Sequence, residues 1–332
     1  NEKIIIVNGD GEILYAQESD LYKKEDKNQN LITKKIKSNL TELGTWSDKK
    51  KYRVMGTLIH ENKIYISHST TIEEKCEIYH ISYADINFNN LIFDNFFTSN
   101  ECGHHLRAGR MQFLNYNGED GILATIGGET VTSPTLKAQN LNSDIGKTLF
   151  IDFKNKKKTV YSYGHRNAQG LLVTKDVILS TEHGPRGGDE INKIIFGNNY
   201  GWPLVSYGHS YHGINAEKEL KGQEDFFKKG HEKYNFTEPV YSFVPSVGIS
   251  QIVKIPNNYH ELWRDNFLLA TLNGGHLQRI MFSNDFDRVI YIEKIFVNRR
   301  IRDLKFSKTS KALILALEDW QEIGILRPIL DN

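Results

Sequence analysis

The chain has 332 residues, and its 42 Lys and Arg stand against 41 Asp and Glu for a formal net charge of +1. A balance this even excludes a general field toward nucleic acid or a membrane surface, and no run of about 18 apolar residues is present to cross a bilayer. The two cysteines, Cys76 and Cys102, can pair, but two in a chain of this length make neither a disulfide framework nor a CxxC metal site, and they leave the compartment open.

From the start, short runs rich in Ile, Val, Tyr, Phe and Leu recur: KIIIVN (3–8), EILYAQ (12–17), KIYISHS (63–69) and EIYHISYA (77–84). Between the second and third lies a lysine-rich stretch, and 18–51 reads as a charged, solvated loop insertion. The runs continue through GRMQFL (109–114), GILATIG (121–127), TLFIDF (148–153), TVYSYG (159–164), VILSTE (177–182) and NKIIFG (192–197). PVYSFV (239–244), QIVKIP (251–256), NFLLATL (266–272), HLQRIMF (276–282), VIYIEKIFV (289–297), RIRDLKF (300–306), ALILALE (312–318) and IGILRPI (323–329) complete them.

Gly, Asn, Asp, Lys or Pro bounds most of these runs, which is strand punctuation, and only NYHELWRDN (258–266) has room for a helical turn. The fold class is therefore all-β. About twenty strands are too many for one sandwich, whereas a six-bladed β-propeller of four-stranded blades takes roughly 55 residues per blade. One such propeller over 1–332 is expected, with a strand from one terminus completing a blade from the other. Ligands of propellers sit at the central channel, so site residues should be scattered along the chain.

Two loops stand out for chemistry. YGHRNAQG (163–170) and EHGPRGGDEIN (182–192) flank the strand pair LLVTKDVILS (171–180) and should emerge on one face. The first offers His165, Arg166, Asn167 and Gln169. The second offers a glycine-rich turn at Gly184 and Pro185, followed by Asp189 and Glu190. Glycines let main-chain carbonyls turn outward, and hard cations such as Ca²⁺ take carbonyl and carboxylate oxygens. An arginine and an asparagine beside such a cation suit an anionic or quinone-like ligand.

GHRNAQGL, EHGPRGGDEIN and GNNYGWP (197–203) together resemble the glucose/sorbosone dehydrogenase family of soluble sugar dehydrogenases that use pyrroloquinoline quinone (PQQ). HHLRAGRMQF (104–113), AQNLNSDIGKTLFID (138–152), PSVGIS (245–250), NFLLATLNGGHLQRI and RRIRDLKF (299–306) extend the resemblance over most of the chain.

The resemblance implies a six-bladed propeller, PQQ and Ca²⁺ as cofactors, a sugar or related alcohol or aldehyde as substrate, and a periplasmic or extracellular location. It implies that Arg166 and Asn167 contact the quinone. The carbonyls of Gly184 and Pro185 would hold the calcium, with Asp189 behind them. Arg300 and Arg302 would pair with cofactor carboxylates, and Phe243 in SFVPS would take the place of a covering tryptophan. A histidine base belongs before Gly109-Arg110; Leu106 occupies its place and His105 is one residue away.

Three further positions depart from the family pattern: Asn273 replaces a lysine, Gly128 replaces an aspartate with Glu129 beside it, and the family's glutamine beside paired glycines is missing around KYRVMGTLI (51–59). The departures at Leu106, Gly128 and Asn273 motivate an alternative, a non-catalytic propeller that keeps the scaffold as a binding module. The H-x-x-H of GHSYHG (His209, His212) reads as a polar turn, because zinc needs a third ligand. The sequons at Asn39 and Asn235 carry meaning only in a eukaryotic secretory route.

Overall fold

The computed structural model describes residues 2–22, 31–44, 54–74, 76–128, 135–209, 227–319 and 322–328. These fall into two compact units, Asn1–Gly103 and His104–Asn332. The first unit holds two four-stranded sheets and the second holds four sheets. Among the described residues every pairing between strands but that of Lys34–Ser38 with Asn90–Leu91 is antiparallel, and the helices are short 3-10 turns. The fold class is the expected all-β, six-bladed β-propeller.

Three details differ from expectation. The last sheet has three described strands, Ile301–Ser307, Ala312–Leu317 and Glu322–Leu326. Each terminal strand also pairs within its own unit: Lys3–Val7 with Ile13–Gln17, and Glu322–Leu326 with Ala312–Leu317. Within the stretch 18–51, Lys34–Ser38 forms a strand that joins Ile13–Gln17 on one side and Asn90–Leu91 on the other. Its single buried side chain, Ile36, enters the core beside Ile13, Ile64 and Phe93. Asn39 at its end uses its carboxamide on both backbone groups of Phe93, at 3.1 and 2.7 Å.

The position of a strand in its sheet explains its hydrophobic pattern. Ala168–Val173 leads its sheet on the inner side and is buried over its first four residues. Val289–Phe296 ends its sheet and is half-exposed, which suits its mixture of Ile, Tyr, Glu and Lys. Between successive sheets of the second unit lie apolar layers. Leu179, Ile191, Ile249, Ile252 and Leu269, each fully buried, form one of them, and each contributes about 1.5–3 kcal/mol on leaving water.

In the first unit Cys76 and Cys102 form a disulfide beside the backbone pair Glu77–Gly103. It closes a loop of 26 residues in sequence separation, so the chain-entropy argument gives it about 3 kcal/mol of stability. A Cys76→Ser/Cys102→Ser double variant should lose about that much in urea denaturation, visible first in the strands Lys63–Glu73 and Cys76–Asp85. An unchanged midpoint would show that this connection does not restrain the unfolded chain.

Candidate active site

In the second unit the inner strands of the four sheets, Ala108–Tyr116, Ala168–Val173, Ile249–Lys254 and Ile301–Ser307, lie beside one another in chain order. Side chains near their N-terminal ends stitch them together. Arg110 is buried and donates from Nε to Gln169 O at 2.6 Å and from Nη2 to Arg302 O at 2.9 Å, while Asp303 lies 3.3 Å from Nη1. Ser250 donates to Ile301 O at 2.6 Å, and Leu171 N donates to Gln251 at 3.1 Å. The loops before these strands therefore emerge at one end, and those loops carry His105, Arg166, Asn167 and Arg300.

Glu182 shapes the first loop. Its carboxylate, 4% exposed, accepts from the backbone N–H groups of Arg166 and Asn167 and from His165 Nδ1 at 3.0 Å. His165 is buried, stacks on Tyr200 at 4.6 Å and receives Ser162 Oγ at 2.7 Å on its other nitrogen, so it supports the loop rather than facing a ligand. Arg166 extends over the Trp202 ring at 5.3 Å and donates from Nη1 to His183 O at 2.8 Å. Asn167 accepts from Gln169 Nε2 at 2.8 Å, and Gln169 Oε1 accepts from Arg302 Nη1 at 3.2 Å.

Asp189 shapes the second loop. One oxygen takes Gly184 N at 3.1 Å and Ser246 Oγ at 2.7 Å; the other takes the N–H groups of Val247, Gly248 and Ile249 at 3.1, 2.7 and 3.2 Å. The turn leaves no room for a side chain at Gly184: a Cβ there would come within 2.1 Å of Gly187 O and 2.3 Å of Gly188 O. His183, just before it, is held near its neutral form, first by burial and further by the charges of Arg166 and Arg302; Asp189 opposes this. Both arginines therefore act on one imidazole. Among the described residues no three His, Cys, Asp or Glu side chains converge as a metal cluster, and the proposed ligands Gly184 and Pro185 would act through backbone carbonyls.

Arg300 and Arg302 lie on the third side. Arg302 Nη2 meets Glu318 Oε2 at 2.8 Å, and Arg300 Nη1 donates to Asn273 Oδ1 at 2.5 Å. Burial works against the charge on Arg302, as do Arg110 and Arg300 beside it, while Glu318 supports it. Asn273 thus cannot supply the lysine's charge, but it holds a neighbouring guanidinium.

Other sequence expectations meet different outcomes. Phe243 pairs opposite Asp189 on the outermost strand of its sheet, and its ring is buried among Val177, Leu179, Ile191 and Ile249. It is a core residue there, not a cover for a ligand, because that strand turns it toward the neighbouring sheet. Leu106 is fully buried. His105 is partly exposed, adopts φ 55°, has its ring tilted against that of His104 at 4.2 Å between centroids and lies 3.5 Å from Arg107 Nη2. Left-handed backbone is uncommon for a residue with a side chain.

Gly127 N donates to Arg107 O at 2.9 Å and Gly128 N to Arg166 O at 2.7 Å, which sets the loops of His105 and Arg166 side by side. A Cβ on Gly128 would lie 2.2 Å from His165 O, so no aspartate fits there. Glu129 and His212 lie outside the described residues, while His209 pairs through its backbone with Arg186. Sequence reasoning missed Glu182, Arg110 and Glu318; an acid ending the apolar run VILSTE was the available signal for the first.

The chain is 30% identical to the aldose sugar dehydrogenase YliI of Escherichia coli strain K12 over 183 residues, 54% of this chain and 46% of that one. It is 32% identical to quinoprotein glucose dehydrogenase B of Acinetobacter calcoaceticus over 111 residues, 28% of this chain and 23% of that one. The matched stretches thus span less than half the length of either relative. A crystal structure of a glucose dehydrogenase superposes with a TM-score of 0.75 at 21% identity, covering 98% of this chain and 93% of that one. The PQQ-bound aldose sugar dehydrogenase of Streptomyces coelicolor superposes at 0.63 and 17% identity, covering 98% and 96%. These superpositions bear on the fold. The description Glucose / Sorbosone dehydrogenase matches residues 54–327, most of the sequence, and the chain belongs to that family.

Proposed function

We propose that the protein oxidises an aldose sugar, or a related alcohol or aldehyde, with PQQ and Ca²⁺ as cofactors. The observation that carries this reading is the polar path Asn167–Gln169–Arg302–Glu318–Arg300, with Arg166 on the adjoining loop. Arginines, an asparagine and a turn with no space for a side chain at Gly184 are a donor set that fits a planar polycarboxylate and its cation. Arg166, Asn167, Arg300 and Arg302 would hold the quinone, and the carbonyls of Gly184 and Pro185 the calcium.

When bound, PQQ supplies the hydride acceptor, with Ca²⁺ as its Lewis acid. His105 would take the proton of the sugar hydroxyl, acting as general base from the loop beside Arg166. Trp202, Glu182 and Asp189 hold the loops so that Arg166 and the turn at Gly184 need little reordering on binding. A periplasmic or extracellular location accords with the Cys76–Cys102 disulfide, a bond that persists in oxidising compartments. No helix among the described residues is long and apolar enough to cross a membrane.

The test is to titrate the protein with PQQ across a range of calcium concentrations and follow sugar-dependent dye reduction. Binding with turnover is expected, and absence of PQQ binding at every calcium level refutes the reading. The buried Leu106 and the closed space at Gly128 favour a second reading, a binding module without redox chemistry. His105→Ala separates the two: the enzyme reading expects turnover to fall about 10²–10⁴-fold with PQQ binding kept, whereas the binding module is unaffected.

A further inference from the structure

Glu318 lies between two arginines. One of its oxygens, Oε2, is 2.8 Å from Arg302 Nη2 and 3.6 Å from Arg300 Nε. Asp319 Oδ1 is 3.6 Å from the same Arg300 Nε, and its Oδ2 accepts the Arg300 backbone N–H at 3.0 Å. Glu318 N in turn donates to Arg300 O at 2.9 Å, so backbone pairing keeps the acids beside the arginines. The guanidinium groups are otherwise tied to neutral amides, Arg300 to Asn273 and Arg302 to Gln169.

Two carboxylates thus already answer the two guanidiniums that the proposed function assigns to an incoming polycarboxylate. Both partners are partly exposed, with Glu318 at 22% and Arg302 at 39% of side-chain area, so the pairing is open to exchange with a dissolved anion. Arg110 crowds Arg302 with a further positive charge. Without Glu318 only Asp319, on Arg300, would offset the pair, and its attraction for anions would rise.

We propose that Glu318 is the built-in counter-ion of the Arg300–Arg302 pair: it holds the two guanidiniums together and keeps their capture of a polycarboxylate weak until another cation joins. The inference rests on the reading that this pair receives carboxylates, and it makes Glu318 a positioning residue. It also supplies a reason for a calcium requirement, because a ligand with three carboxylates meets arginines that are already neutralised.

The probe is benzene-1,3,5-tricarboxylate, titrated by calorimetry into the full chain in buffer stripped of divalent ions on a chelating resin. Glu318→Gln is expected to bind it about two- to fivefold more tightly than the unaltered protein, the scale of one partly exposed ion pair. The gain should shrink as salt is raised and vanish in Glu318→Gln/Arg302→Gln. Loss of a merely structural contact would not tighten binding, so equal or weaker binding by Glu318→Gln overturns the proposal, as does absence of binding by all these proteins. Should Glu318→Gln fail to fold, Asp319→Asn carries the test with an expected gain of about twofold, and no gain there overturns it. If the tricarboxylate behaves as expected while PQQ fails to bind with calcium, this inference stands and the cofactor assignment falls.

Discussion

Replacing Asp189 with alanine is expected to destabilise the second unit by about 3–5 kcal/mol and to abolish ligand binding at the turn it supports. The carboxylate is 2% exposed and accepts five hydrogen bonds, from Gly184 N, Ser246 Oγ and three consecutive backbone N–H groups at 247–249. It joins the glycine turn to the loop entering the next inner strand, and its removal leaves donors from both loops without an acceptor. Asp189→Asn keeps the volume but points an amide N–H at groups that are themselves donors, so it should cost nearly as much. Ser246→Ala removes one hydroxyl donor and should cost about 1 kcal/mol. Urea denaturation of the three variants checks the order. An asparagine variant within about 1 kcal/mol of the parent would show that the charge is not what holds the loops.

Acid should loosen the first unit through His68. This residue is 1% exposed in the strand Lys63–Glu73, bonds Ser82 at 2.9 Å and stacks on His80 at 5.2 Å. Burial, with His80 beside it, lowers its pKa from 6.5 to about 3. A folded-state pKa below the unfolded value means that protonation favours the unfolded chain. The stability contribution is therefore complete above about pH 6.5 and is lost as pH falls toward 3. By pH 5 the loss is about 2 kcal/mol from this group alone. His68→Gln should remove that part of the slope between pH 7.5 and pH 5, read by hydrogen exchange in Lys63–Glu73 and Cys76–Asp85. Identical slopes in parent and variant would exclude His68 as the sensor.

Much of the candidate site was legible because its chemistry is local. Arg166 and Asn167 are neighbours in sequence, and the glycines at 184, 187 and 188 signal a close backbone approach wherever the chain places them. The supports were hidden because each acts across sheets. Arg110 meets Gln169 across 59 positions and Arg302 across 192, and no periodicity within one strand reports such a contact. Phe243 was misread for the same reason: an aromatic residue near a binding loop looks identical in sequence whether its ring faces a ligand or the next sheet. Asn273 seemed to be a lost cation, yet its oxygen holds Arg300.

The sequence by itself determined the all-β class, the number of blades and the identity of the two loops that resemble a cofactor seat. Strand length, turn residues and apolar runs depend on neighbours along the chain, and those features need nothing more. Only the tertiary structure decided which polar side chains meet. Glu182 and Asp189 became posts for two loops because burial beside clustered N–H donors demands an acceptor, and Glu318 became the partner of two arginines because backbone pairing brought residues 300 and 318 together.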